Sequence, residues 1–422
     1  MGIINWIKDY WRDIRKSTGK TFKNVVLTAH FWVILIALGL IISMSVMIFG
    51  TLSARKDQNM AEYWKNGGKT EYRQLSVFAK GNRTDIYAPI VPLGENQSLS
   101  KKEITDIRKE LQGTVDSGKT IKKKASTEVK PTGWNDCYST VFKANGSYTK
   151  WMMINGENKS AKKDFEAEVV AVGGDFQSFH PFEYLDGGFL PLEESDPNQI
   201  VINDELAWTL FKSYSVSGQR IQILGEDMTI VGVVREKKTK IDRITGSETL
   251  RVFCYFSTVD ELSQKGYFSG DMGTGEDGST PVGSPIAVSC YEAMLPEAVR
   301  GVAKTDIINA LPGYNMNEPQ YRVVSNTGRF RVDKVYDLNM PVGEFENKTT
   351  GYEFPYWEKA SILATQRLFL MEAALLVGIV LLIIGIIIMI LRLRKPGGKL
   401  DQVEEEPNED EIPDEVAIEM TR

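Results

Sequence analysis

The chain is poor in the residues that carry most enzyme chemistry. Its 422 residues hold two histidines, His30 and His180, which leaves little room for histidine-based acid–base or metal work. Three cysteines, Cys137, Cys254 and Cys290, cannot form a disulfide framework for a chain this long. No HExxH, CxxC or GxSxG spacing occurs, so the zinc-protease, dithiol-oxidoreductase and serine-hydrolase signatures are missing. A basic excess is also lacking. Fifty Lys and Arg against 56 Asp and Glu give a net charge of −6, too little positive charge to bind nucleic acid by displacing its counterions. These absences point away from an enzyme, and no catalytic, cofactor or metal site is expected.

What the chain does have is two long apolar runs. No charged residue occurs from Val25 to Ser53, and a second uncharged run fills 373–391. A bilayer core about 30 Å thick needs roughly 20 apolar residues at 1.5 Å rise each. Both runs qualify as transmembrane helices, 25–53 and 368–391. The first is longer than a signal-peptide core and lacks a small-x-small exit, so it reads as a permanent anchor. Six basic residues in 1–24 oppose Asp9 and Asp13, and Arg392, Arg394, Lys395 and Lys399 follow the second run. By the positive-inside rule both termini are expected in the cytoplasm of a plasma membrane, with 54–367 outside.

The two ends differ in character. Residues 1–24 are expected to form a cytoplasmic amphipathic helix, with Ile3, Trp6, Ile7, Tyr10, Trp11 and Ile14 on its apolar face. Such a face suits either the membrane interface or a partner helix. The 392–422 tail is basic, then acidic. After Lys399 it has ten acids against Arg422, and its composition predicts disorder.

Between the spans the pattern is mixed α and β. The segments 165–172, 199–202, 220–224, 228–234, 250–256, 285–294 and 320–325 read as strands. Helical spacing occurs over 99–111, 204–211 (capped by Asp204) and 295–311. Residues 112–135 read as a long polar loop. Helical spacing flanks both apolar runs, over Arg55–Gly67 and Tyr356–Met371, and predicts two helical stalks.

One motif demands a decision. GTVDSGKT (113–120) satisfies the P-loop pattern, but a charged helix precedes it where a buried strand is needed. The helix that should cradle phosphate has no apolar face, so the segment reads as inert. Asp271, Glu276 and Asp277 lack EF-hand spacing and read as a solvated loop. His180, set among aromatics in FQSFHPFEY, reads as a packed residue, and Cys254 and Cys290 as buried small hydrophobes.

Residues 184–234 carry a resemblance. Gly187 and Gly188 make a turn followed by Phe189; an acidic patch and a strand come next, then a helix with Leu206, Ala207 and Phe211, then Gly218 and the Val231–Gly232–Val233 strand. Gly188 and Gly218 are expected at positive φ, Ala207 where a helix lies close on the sheet, and Gly232 where backbones approach. This order resembles the MacB-like periplasmic core domain of ABC transporter permeases, and VSCYEAMLPEAVRGVA and EFPYWEKAS are similar to its Gram-positive branch.

The resemblance implies an α+β fold, a two-lobed mixed α/β extracytoplasmic domain carried on two transmembrane helices with helical stalks. The outer lobe spans about 166–257, and the flanking segments build the membrane-proximal one. The family has three spans after this domain; here a charged tail follows the second span and the cytoplasmic coupling element is missing. The implied role is a noncatalytic membrane subunit or accessory protein of a bacterial MacB-like ABC complex. Its partners would be the lipid bilayer, an ABC ATPase and a full-length FtsX-like permease subunit, and a homo-oligomer is compatible with it. The alternative is a membrane-anchored structural or adhesive surface protein that keeps the fold without a transporter.

Overall fold

The computed structural model describes residues 29–64, 70–83, 85–94, 97–117, 131–154, 157–268, 283–317, 320–336 and 352–394. The chain divides into two units, one of Met47–Met371 and one holding the described residues 29–46 and 372–394.

The second of these is helical. It contains most of α1 (Ala29–Ala54) and the C-terminal part of α9 (Tyr356–Arg394). Both helices are long and apolar enough to cross a membrane, and their apolar windows are almost wholly unburied, unlike the core helix of a soluble domain. They meet through glycine. A Cβ on Gly378 would lie 3.1 Å from Ile41 Cγ1, and one on Gly385 would lie 2.7 Å from Ile34 Cγ1. The matched seven-residue steps run in opposite directions, so the pair is antiparallel. Small residues at these points let the backbones approach where no hydrophobic effect drives association.

The unit of Met47–Met371 is built on one ten-stranded sheet. In chain order its strands are β1 (Tyr72–Ala79), β2 (Asn135–Ile154), β3 (Glu157–Gly174), β4 (Glu183–Gly187), β5 (Gln199–Asn203), β6 (Arg220–Ile223), β7 (Glu226–Arg235), β8 (Arg251–Tyr255), β9 (Cys290–Pro296) and β10 (Tyr321–Ser325). The spatial order is β10-β1-β9-β2-β3-β8-β5-β7-β4, with β6 pairing β2 and β7. Of these pairs, β3–β8 and β5–β7 are parallel. The strands of 157–255 fill one half of the order, and the flanking segments supply the other.

Helices cover both faces, and for that reason strands such as β5 and β8 are buried on both sides. Successive residues alternate between two cores. Ile200 and Ile202 enter one with Leu206, Val259 and Ile307, while Val201 enters the other with Phe176, Phe253 and Trp357. Burying one such Phe stabilises by roughly 1.5–3 kcal/mol.

Every segment expected to be a strand contains one, and β1, β2 and β4 are additional. Three expectations need correction. The 99–111 helix runs on as α2 (Lys101–Ser117), so Gly113 of the P-loop match sits inside a helix. The helix Asp204–Phe211, α4, is capped by Asn203 rather than Asp204, since the Asn203 side chain accepts from Leu206 N at 3.1 Å. Among the described residues no helical stalk follows the first apolar run. α1 ends at Ala54, and two 3-10 turns, Lys56–Gln58 and Met60–Glu62, follow it. Asp57 and Asn59 favour turns over helix interior, and Arg55 is drawn sideways into an ion pair with Asp242.

Candidate functional site

β8 opens with Arg251, whose side chain is completely buried. Parallel register sets it beside Glu168 of β3, and its Nε donates to Glu168 Oε1 at 2.8 Å. The guanidinium also pairs with Glu236, just beyond β7, and donates to Gly246 O at 3.0 Å. Its Cζ lies 3.7 Å from the ring centre of Tyr356, the first residue of α9. Only a planar, permanently charged group serves two carboxylates, a carbonyl and an aromatic face at once.

Burial pushes the Glu236 carboxyl up to about 7 in spite of Arg251, helped by the negative charges of Glu168 and Asp204. Glu236 Oε1 has no hydrogen-bond partner among the described residues.

Four further contacts fasten the same place. Arg55 pairs with Asp242, the residue that closes the capping box with Thr239 at the start of α5 (Lys240–Ile244). Gln58 Nε2 donates to Trp357 O at 3.0 Å, and Ser361 bonds Gln58 in return. Arg329 grips Glu358 with two bonds of 2.6 and 2.8 Å. A cavity of about 90 Å³ lies among Arg55, Gln58, His180, Glu236, Ser247 and Trp357. The first two turns of α9 are thus clamped to the sheet by buried charge. Breaking such a pair by removing one partner costs about 3–5 kcal/mol.

The motif residues of 184–234 lie in the half of the sheet built from 157–255. Gly187 pairs with Gly232 across β4 and β7. Gly187 has φ +60° and a Cβ there would meet Val231 O at 2.0 Å; a Cβ on Gly232 would meet Gly188 O at 2.0 Å. Close approach at Gly232 is as expected. The positive φ lies at Gly187 and not at Gly188, because Gly187 is the residue that turns out of the strand. Gly218 has φ +87° and donates to Ile230 O at 2.7 Å. Leu206 and Ala207 are fully buried, Phe211 packs on Tyr148, Val233 enters the same core and Val231 borders the other. None of these residues lies in the Arg251 cluster.

Ile3, Trp6, Ile7, Tyr10, Trp11 and Ile14 lie outside the described residues, as do Gly118, Lys119 and Thr120 of the P-loop match and Asp271, Glu276 and Asp277.

The Arg251 cluster escaped sequence reading, for its members are spread from Arg55 to Ser361. Signals were present in Arg251 opening an apolar strand and Glu236 ending one, since a charge beside a buried run needs a partner. A second gathering was also missed. His180 packs at a tilt against Phe176 and Trp357 as a packed residue should, yet it also pairs with buried Glu292. Burial alone would raise the Glu292 carboxyl, but His180, Ser76 and Gln74 hold it below the usual range. Cys137 Sγ lies 4.0 Å from Glu292 Oε2, and burial together with Glu292 pushes its thiol up. Cys254 and Cys290 are buried free thiols.

None of the curated proteins matches the sequence. Two crystal structures are similar at 12% identity. One is the extracellular domain of the noncanonic ABC-type transporter YknZ from Gram-positive bacteria, covering 60% of this chain and 99% of that one with a TM-score of 0.33. The other is the periplasmic region of MacB from Actinobacillus actinomycetemcomitans, covering 63% and 94% with a TM-score of 0.31. The model of the MacB-like periplasmic core domain matches residues 33–269, more than half of the chain and including the whole stretch from Gly187 to Val233. The chain therefore belongs to the MacB-like periplasmic core domain family, found in ABC transporter-type proteins.

Proposed function

We propose that this protein is a noncatalytic membrane subunit or accessory protein of a MacB-like ABC transporter complex. Its sheet domain lies outside the cell, both termini lie in the cytoplasm, and a partner ATPase moves the domain through the membrane helices. An ABC ATPase and a full-length permease would be its partners. Family membership supports the class of protein, and one observation carries the mechanical reading. α9 is a single helix from Tyr356 to Arg394, its first turns are locked to the sheet by Arg251, Gln58 and Arg329, and its later turns are apolar enough to span a bilayer. A continuous helix carries a shift that a flexible joint absorbs. At the other entry α1 gives way to 3-10 turns after Ala54, and Arg55 ties those turns to Asp242.

The experiment is a Gly-Gly-Ser insertion after Met371, past the clamp and the last buried residue of the domain. Placed nearer, after Glu358, it would also break the contacts of Ser361. Helix continuity should be lost at about 1 kcal/mol per glycine with the sheet core intact. Affinity purification of the intact protein should bring down an ATPase and a four-span permease. The insertion should leave that assembly in place while disconnecting ATP hydrolysis from the response outside the cell. If no ATPase accompanies the chain, or the response survives the insertion undiminished, the fold acts here as an anchored surface domain and the proposal fails.

A further inference from the structure

Three potential metal ligands meet on the Trp357 side of the sheet. Cys137 on β2 and Glu292 on β9 are directly paired across the strands, so their side chains leave the same face. The short helix α3 (Phe176–Phe179) ends in His180, which sets its ring over that face between Phe176 and Trp357, each 4.5 Å away between ring centres. The three donor atoms all lie within 4.8 Å of one another. We propose that Cys137, His180 and Glu292 form a zinc site that pins α3 to strands β2 and β9 directly beneath Trp357. This inference is independent of the transporter reading.

Three features argue for a coordinating set rather than a chance contact. First, the ligands are of the right kinds: thiolate, imidazole and carboxylate all bind zinc, at about 2.3, 2.0–2.1 and 2.0–2.2 Å. A tetrahedral ion with those lengths separates sulfur from oxygen by about 3.6 Å, against the 4.0 Å found between Cys137 Sγ and Glu292 Oε2. The direct His180–Glu292 contact would open to about 3.4 Å to admit the ion.

Second, the carboxylate is oriented from behind. Ser76 Oγ donates to Glu292 Oε1 at 2.6 Å, and Asn326 Nδ2 donates to that hydroxyl at 2.7 Å. One oxygen is anchored and the other faces both His180 and Cys137, as an outer shell arranges a ligand. Third, the set borders open space: the His180 side chain is 13% exposed and lines the 90 Å³ cavity. A thiol in the set disfavours Mg²⁺ and Ca²⁺, which take oxygen.

The test uses the full chain in detergent, reduced and freed of metal with a chelator, and titrated with Co²⁺ and then Zn²⁺. One Co²⁺ per chain should bind with a thiolate-to-cobalt charge-transfer band and the intense visible spectrum of a tetrahedral site, and Zn²⁺ should bleach both. Cys137→Ser should abolish the band. His180→Gln should weaken binding at least tenfold, since even outer-shell changes cost about 10–100-fold. Cys290→Ser removes a nearby thiol outside the set and should leave the titration unchanged. Circular dichroism establishes that each variant is folded, and these two ligand variants suffice if Glu292→Gln does not fold. Absence of the band in the parent, its persistence in Cys137→Ser, its loss in Cys290→Ser instead, or failure of Zn²⁺ to displace Co²⁺ would each overturn the proposal.

Discussion

The guanidinium of Arg251 lies over the ring of Tyr356, 3.7 Å from atom Cζ to the ring centre, and so joins the start of a central strand to the start of the last helix. The same guanidinium holds both Glu168 and Glu236. Arg251→Ala should therefore destabilise the sheet domain by about 3–5 kcal/mol, because Glu168 and Glu236 lose the partner they share in a buried place. Arg251→Lys should recover only part of this, as an ammonium cannot reproduce the fork or the stacking. Chemical denaturation followed by tryptophan fluorescence measures both. A loss below about 1 kcal/mol for the alanine variant would show that the cluster holds nothing together.

Glu236 should make stability depend on pH in an unusual direction. Its carboxyl keeps a proton up to about pH 7 when folded, whereas in the unfolded chain it releases it near 4.3. The folded state thus binds more protons between those values, so this group's contribution is fully present below about pH 4 and is lost as pH rises through 7. Glu236→Gln removes the effect while keeping an acceptor for Arg251. Relative to the parent, its melting temperature should be higher at pH 8 than at pH 5.5. An equal difference at both pH values would contradict the assignment.

Gly187 and Gly232 should tolerate nothing larger than glycine. A Cβ at either would sit 2.0 Å from a backbone oxygen, which a flexible side chain cannot relieve. Gly218→Ala meets no neighbour and suffers only the left-handed backbone, a cost of about 1 kcal/mol. Expression and melting should rank Gly218→Ala well above Gly187→Ala and Gly232→Ala. The reverse order would remove the close approach of β4 and β7 as their reason for being glycine.

The apolar helix pair should be sensitive at Gly385 and indifferent at Gly39. Gly385 faces Ile34 with room for no Cβ, whereas Gly39 has open space around it. Gly385→Leu should weaken the packing of α1 on α9, read as lost cross-linking between cysteines introduced on the two helices, and Gly39→Leu should leave it intact. Equal effects from both changes would argue against this interface.

The sequence alone determined those features that arise from local chemistry. The two apolar runs, the strands around Ile200, Ile230 and Phe253, the helix holding Ala207 and the turn at Gly218 all announce themselves within a dozen neighbouring residues, through period, charge and glycine. Even there, end effects were hidden: whether Asn203 or Asp204 caps α4 depends on which side chain reaches Leu206 N, and both are good caps. Tertiary structure decided the rest. Where α1 stops at Ala54, Arg55 meets Asp242, which lies 187 residues away. Glu292 is a buried carboxylate because sheet register puts it opposite Cys137 and beside His180. Local preference is worth only tenths of a kcal/mol per residue, and satisfying a buried charge is worth several, so wherever the two meet it is the distant partner that sets the structure.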